Sequence, residues 1–411
     1  MFKKTLMLLC VTTLTTFSLF AGKVPAPGPN DTLPANYKLY PSYPTVKVLI
    51  AKDLNCTTIE VDGAYRVFNP EDCTVSGYGL FGKKYPVHPT TNGLKWGEEF
   101  PGVYQFAIVP ASAKTRIMVD GTAYPGSIFV FQVGNTINIV NQVKIEDYLA
   151  TVLPSSVSEN LNEEAMAALV IAARTDIYYQ SVRFDKAFWQ IDAHQACYRG
   201  YDGKRNKEVD HAINATRYLV MRMKDSPAYL GLFPATWSAH CAGKTASGSI
   251  VFRKPISGPK ESVVSSVAES DREGSSWSYL VKKEDMAKVV GFKTLSKVSL
   301  YKDNVSGKVY AVRFQNGADS KEMDFVALQK LVGEDKIKSN DFAVDIQGNI
   351  VTFTGFGKGH GVGLCLYSAN RLSEHGQDAI TVLEKFFPGT EVVMMPTVQP
   401  AGKSTSFASA H

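Results

Sequence analysis

Residues 143–175 read VKIEDYLATVLPSSVSENLNEEAMAALVIAART, and here the chain changes from β-type to α-type patterning. Ile145, Tyr148, Leu149 and Val152 recur at the spacing of one helical face as far as Pro154. Proline lacks an amide hydrogen, so that helix is expected to end there. A second helix is expected from about Asn162, with Glu163 and Glu164 in its first turn, where the helix dipole favours anions. Met166, Leu169, Val170, Ala173 and Ile177 carry its apolar pattern, and polar Arg174 lies inside this otherwise small and apolar helix. A third helical stretch is expected over 208–223, before strands and turns resume at Pro234.

Upstream, residues 44–142 alternate short β-branched runs with turn residues, as in Val46-Lys47-Val48-Leu49-Ile50, Tyr104-Gln105-Phe106-Ala107-Ile108 and Ile128-Phe129-Val130-Phe131. Thr58-Ile59-Glu60-Val61 is followed by Asp62-Gly63, and Arg116-Ile117-Met118-Val119 by Asp120-Gly121; both turns are hairpin signals. The fold class expected is α+β, with a β-rich N-terminal region (22–142) followed by a mixed α/β domain (143–392) and a tail (393–411).

The 411 residues are 45% hydrophobic, 20% charged and 11% aromatic, a balance that excludes a disordered or collagen-like chain. A net charge of +5, with no Lys/Arg run longer than two residues, gives no basis for a nucleic-acid partner. Lys3 and Lys4, the apolar stretch Leu6 to Phe20 and the small pair Ala21-Gly22 have the layout of a secretory signal. Residues 1–21 are therefore expected to direct export across the inner membrane to the periplasm or cell envelope, with membrane attachment only if the signal stays uncleaved. Five cysteines follow it: Cys56, Cys73, Cys197, Cys241 and Cys365. A Cys56–Cys73 bridge would close a loop in the β-rich segment and add about 3 kcal/mol, and the odd count leaves at least one free thiol. No C-x-x-C is present.

The last third holds Gly355-Phe356-Gly357-Lys358-Gly359-His360-Gly361-Val362-Gly363-Leu364-Cys365. No G-K-[ST] closes it and G-x-G-x-x-G fits in no register, so nucleotide binding is disfavoured. It follows the run Ile350 to Phe353 and precedes a helix expected from Ala369. Its glycines let backbone pass close either to a neighbouring strand or to a ligand.

Together these segments resemble the SpoIID/LytB family of bacterial cell-wall proteins. Residues 143–175 resemble the family's V-x-L-E-E-Y-L-x-G-V-V-P-S-E-M segment and the helix ending A-A-R-T. Tyr198-Arg199-Gly200 resembles its Q-x-Y-x-G turn, and residues 238–245 (SAHCAGKT) its S-x-x-G-G-x-T loop. GKGHGVGLC resembles its G-x-G-x-G-H-G-V-G-M signature, and residues 382–390 (VLEKFFPGT) its closing I-L-x-x-Y-Y-P-G-T.

The resemblance implies a lytic transglycosylase acting on peptidoglycan glycan strands stripped of stem peptides. One carboxyl group protonates the glycosidic oxygen, then as carboxylate takes the proton of the muramoyl 6-hydroxyl, which attacks C1 and leaves a 1,6-anhydro end. Counting from Pro154 or back from Arg174, the family's catalytic Glu falls on Ser156, whose hydroxyl is too weak an acid for that step. Glu159 is a substitute candidate, although for Glu159, Glu163 and Glu164 a solvated or helix-capping role is the plainer reading. The alternative is a cleft kept for binding glycan and recruiting or stimulating an amidase. Arg174 and His360 match family residues and, with Tyr198 of the Y-x-G turn and Lys244 of the SAHCAGKT loop, are the candidate substrate-binding residues; for Arg174 a structural ion pair is the competing reading. No cofactor is implied. Some family members hold zinc near the Q-x-Y-x-G turn, but of those positions only His194 survives beside Arg183, Trp189 and Gln195, so no metal is expected.

Overall fold

The computed structural model of the chain describes residues 44–70, 75–157, 160–226 and 231–395. The β-type run folds as two sheets that share one apolar core. The first has seven strands, in the order Ile191–Asp192, Thr45–Leu54, Thr136–Lys144, Ser127–Val133, Gln105–Pro110, Tyr65–Phe68 and Val75–Gly79. The second has six: Thr122–Tyr124, Arg116–Val119, Thr57–Asp62, Lys83–Thr90, Gly93–Trp96 and Glu98–Pro101. Ile59, Val87 and Trp96 from the second sheet meet Val67, Phe106 and Val130 from the first. Trp96 is completely buried, and its indole N–H donates to the Ile59 carbonyl at 3.1 Å, so no donor is left unpaired.

The two Asp-Gly turns behave differently. Asp120 (φ 46°) and Gly121 (φ 85°) are both left-handed, as a two-residue hairpin turn requires, and they set Val119 opposite Thr122. Asp62-Gly63 makes no hairpin. Thr57–Asp62 pairs with Lys83–Thr90 and Arg116–Val119, whereas Tyr65–Phe68 pairs with Val75–Gly79 and Gln105–Pro110, so this turn carries the chain from one sheet to the other.

The helices pack against the seven-stranded sheet. Val46, Val48 and Val143 belong to the same apolar cluster as α1 (Ile145–Ser156), α2 (Glu163–Arg183) and α3 (Lys207–Ala215). The chain is therefore α+β, with its β-rich part first. α2 starts as the sequence implies: Asn162 accepts the N–H of Ala165 at 3.0 Å, and Glu164 accepts that of Ala379 at 2.8 Å, at the head of helix Ala379–Phe386. It is buried on all sides from Ala165 to Thr175, and its five alanines in that run let α1, α3 and the C-terminal helices approach closely.

Two helix boundaries depart from expectation. α1 passes through Pro154 and ends at Ser156, with the Val157 N–H bonded to Leu153 O at 3.1 Å. In the last turn a proline forfeits a single intrahelical bond, which the packed face of α1 tolerates. The 208–223 stretch divides at Tyr218, left-handed at φ 63°, into α3 and the strand Leu219–Met223, which pairs antiparallel with Thr390–Met394. A short buried run such as Leu219-Val220-Met221 has no periodicity that separates strand from helix.

Residues 276–356 build a second core from two three-stranded sheets and the helices Lys283–Val290 and Phe325–Val332, around Trp277, Phe314, Phe325 and Phe353. Buried Lys308 ties it to the rest, donating to the Cys241 carbonyl at 2.7 Å and to Asp341 at 2.8 Å.

Arg174 is 0% exposed. Its guanidinium makes a two-pronged pair with Glu146 of α1 (2.9 and 2.8 Å) and donates to the carbonyls of Ile213, Thr216 and Leu219 at 3.3, 2.8 and 3.2 Å. The resemblance had made this residue a sugar ligand; the fold closes it off, and the ion-pair reading is the one realised. Arg174→Ala is expected to cost about 3–5 kcal/mol in urea unfolding, because it strands the Glu146 carboxylate and three carbonyls. Arg174→Lys should recover only part of this, since an ammonium cannot reproduce the fork. A loss below about 1 kcal/mol would mean the pair behaves like a surface one.

Candidate functional site

Past Thr175, α2 still buries Ile177, Tyr178 and Ser181, while its side chains at i, i+3, i+4 and i+7 (Asp176, Tyr179, Gln180 and Arg183) line one wall of a 530 Å³ cavity. The opposite wall is the loop from Thr245 to Ser249 with Phe252, Val362 and Gly363. On an adjacent face of the same helix a 400 Å³ cavity is lined by Tyr148, Val152 and Ser155 of α1, by Asp192, and by Trp237. Asp176 and Gln180 belong to both walls.

Asp176 accepts a hydrogen bond from the Gln180 side-chain amide at 2.6 Å. Although partly open to the cavities, its carboxyl is crowded by protein, and that desolvation pushes its pKa up to about 6 against the pull of the Gln180 bond. Across the second cavity, burial raises the Tyr148 phenol far above its ordinary value, with smaller contributions from Asp176 and Cys197. A carboxyl poised near neutrality can donate a proton and take one back.

The glycine-alternating segment packs against the loop that contains Ser238 to Thr245, so its close approaches are to protein. A Cβ on Gly363 (φ 77°) would sit 2.1 Å from Thr236 O, and one on Gly357 (φ 83°) 2.6 Å from His240 O. Strand Trp237–Ser238 pairs parallel to Leu364–Cys365. His360 is held here: the Val362 N–H donates to its Nδ1 at 3.1 Å, and its ring meets Phe252 edge-on. Nδ1 is thus an acceptor, the neutral ring carries its proton on Nε2, and desolvation lowers the pKa to about 4. His360 borders a separate 270 Å³ cavity, which has Trp237 in common with the second one.

The candidate residues do not converge. Ser156 ends α1, next to Ser155 on the second cavity; Glu159 lies outside the described residues. Tyr198 is buried, donates to Asn141 Oδ1 at 2.7 Å and packs at a tilt against the rings of Tyr124 and Tyr148, so it holds the turn in place and does not face a cleft. Lys244 donates to the Val305 carbonyl at 2.5 Å and lines neither of the cavities that Asp176 borders. Cys241 and Cys365 are buried and adjacent, the Cys241 N–H pointing at Cys365 Sγ at 3.2 Å. Cys56 is exposed, and Cys73 lies outside the described residues, as does the expected signal. Among the described residues no group of three or more His, Cys, Asp or Glu could hold a metal ion. Asp176, Gln180 and Trp237 were not singled out from sequence. The available signal was an acidic residue directly after a run of small and apolar helix positions.

An α+β chain with a carboxyl at the meeting of two cavities is the class of protein the fold defines. A family model described as Stage II sporulation protein (SpoIID) matches residues 133–223, which contain α1, α2, α3 and both walls that they give to the second cavity. An uncharacterized protein of Chlamydia pneumoniae is 33% identical over 187 residues, covering 45% of this chain and 67% of that protein. An uncharacterized protein of Brachyspira hyodysenteriae is 28% identical over 343 residues, 82% of this chain and 89% of that one. Stage II sporulation protein D of Bacillus subtilis is 24% identical over 289 residues, 66% of this chain and 80% of its own length. The chain belongs to the SpoIID family.

The raised pKa of Asp176 has a thermodynamic consequence. Between its ordinary value of 3.8 and about 6, the folded chain holds more protons than the unfolded one, so this group's contribution to stability falls as pH rises through that window. Asp176→Asn, which keeps a partner for Gln180 and removes the charge, is expected to raise stability at neutral pH and change it little below about pH 4. Urea unfolding at the two pH values measures this; a loss at neutral pH would mean that the fold favours the carboxylate.

Proposed function

We propose that the chain remodels peptidoglycan as a SpoIID-type protein acting on denuded glycan strands, cleaving them as a lytic transglycosylase. Family membership supports a role related to sporulation-type peptidoglycan handling. The observation that carries the finer reading is the pair of cavities sharing one carboxyl-bearing wall, lined by Tyr179, Phe252 and Trp237 together with polar groups. Aromatic faces and a few placed polar atoms are what a chain of amphipathic sugar rings needs. We further propose that the chain works on the far side of the inner membrane, since the residues before Lys23 have the layout of a secretory signal and glycan strands lie there. Among the described residues no helix is long and apolar enough to cross a membrane.

A second reading is favoured by one observation, the serine at the family's acid position. On that reading the chain binds denuded strands without cutting them and serves as partner or enhancer of an amidase. The experiment that decides is digestion of amidase-treated sacculi by the purified chain, with co-sedimentation measured alongside. Co-sedimentation with release of 1,6-anhydromuramoyl ends, read by mass spectrometry, is the expected result. Co-sedimentation with no anhydro ends would favour the amidase partner, and absence of binding would defeat both.

A further inference from the structure

We propose that Asp176 is the catalytic acid of this chain, standing on α2 in place of the carboxyl that is missing at the end of α1. The inference rests on the lytic reading above and goes beyond it by assigning the proton to a residue that no family motif marks.

The geometry argues as follows. An acid that cleaves a link between two sugars must stand between the two subsites that hold them, because the scissile oxygen lies at their boundary. Asp176 lies on the wall common to the 530 and 400 Å³ cavities. The other carboxylates on those walls each line one cavity alone: Glu261, which is exposed, and Asp192, whose Oδ1 is taken up by the N–H groups of His194 and Gln195 at 2.9 and 3.1 Å. α2 is immobilised up to Thr175 by burial on every side, which fixes the carboxyl one residue later.

The surroundings suit the task. Gln180 holds Oδ2 at 2.6 Å and leaves the other oxygen for the substrate. The remaining titratable or charged groups around it are Tyr148, Cys197 and Asp192 on the second cavity, and Tyr179, Arg183, Lys254, Lys260 and Glu261 around the first. Desolvation outweighs all of these and keeps a large fraction protonated near pH 6. In the step itself the Asp176 proton goes to the glycosidic oxygen as the bond to C1 breaks. The carboxylate then takes the proton of the muramoyl 6-hydroxyl as its oxygen bonds to C1. The acid is regenerated, and neither water nor a redox partner is consumed.

The test uses the full chain and amidase-treated sacculi, with binding, rate and pH profile measured together. Asp176→Asn is expected to lower the release of anhydro ends by roughly 10²–10⁴-fold at unchanged co-sedimentation. The fall in rate on raising pH through about 6 should vanish with it. Asp176→Glu should retain part of the rate, and Ser156→Glu added to Asp176→Asn should restore cleavage from the α1 side. A thermal melt of each variant separates lost chemistry from lost fold. Cleavage that survives Asp176→Asn with the same pH profile, or that Glu159→Gln abolishes instead, overturns the assignment and leaves the lytic reading standing. A wild-type chain that binds strands and releases no anhydro ends overturns both.

Discussion

The buried pair between Arg174 and Glu146 is the constraint on which the helical half depends. A guanidinium with no exposure is tolerable only when its charge is matched and its N–H groups are paired, and here one carboxylate and three carbonyls do that. Those partners come from α1, from the end of α3 and from the start of the strand Leu219–Met223. One side chain therefore fixes the angle between α1 and α2 and the point where the chain turns back toward the sheet. A hydrophobe of the same volume could fill the space, but it would set no register between these elements.

Position follows from that constraint. α2 can be rigid because its buried half is small and closely packed, and it can carry a carboxyl because from Asp176 on one stripe of it faces the cavities while Ile177, Tyr178 and Ser181 stay buried. The glycine segment supplies the facing wall in an equally strict way. Its left-handed residues run so near Thr236 and His240 that side chains there would collide with backbone, and this holds the Val362-Gly363 edge against the first cavity. Both walls of the cleft are thus over-determined by packing that lies outside it, which keeps a catalytic geometry from drifting.

Much of this was legible in the sequence. The change from period two to helical spacing at residue 143, the cap at Asn162 and the hairpin at Asp120-Gly121 are local signals, and the structure follows them. The Asp62-Gly63 turn failed as a hairpin because strand partners are chosen by long-range burial. The Leu219–Met223 strand was lost in a helix-like stretch because its partner, Thr390–Met394, lies far along the chain. At the site, family motifs marked Arg174 and Tyr198, which hold the scaffold together, since motif positions record packing as readily as chemistry. Asp176 was missed because its meaning lies in the two cavities that meet beside it, and cavities are not written in spacing.

The central claim is that the fold holds the Asp176 carboxyl in a desolvated state fit to give and regain a proton. Its most direct measurement is the carboxyl ¹³C titration of Asp176 in the full chain, assigned by the signal that disappears in Asp176→Asn. A midpoint near 6 is the expected result. A midpoint at the ordinary 3.8 would place the group in open solvent and contradict the claim.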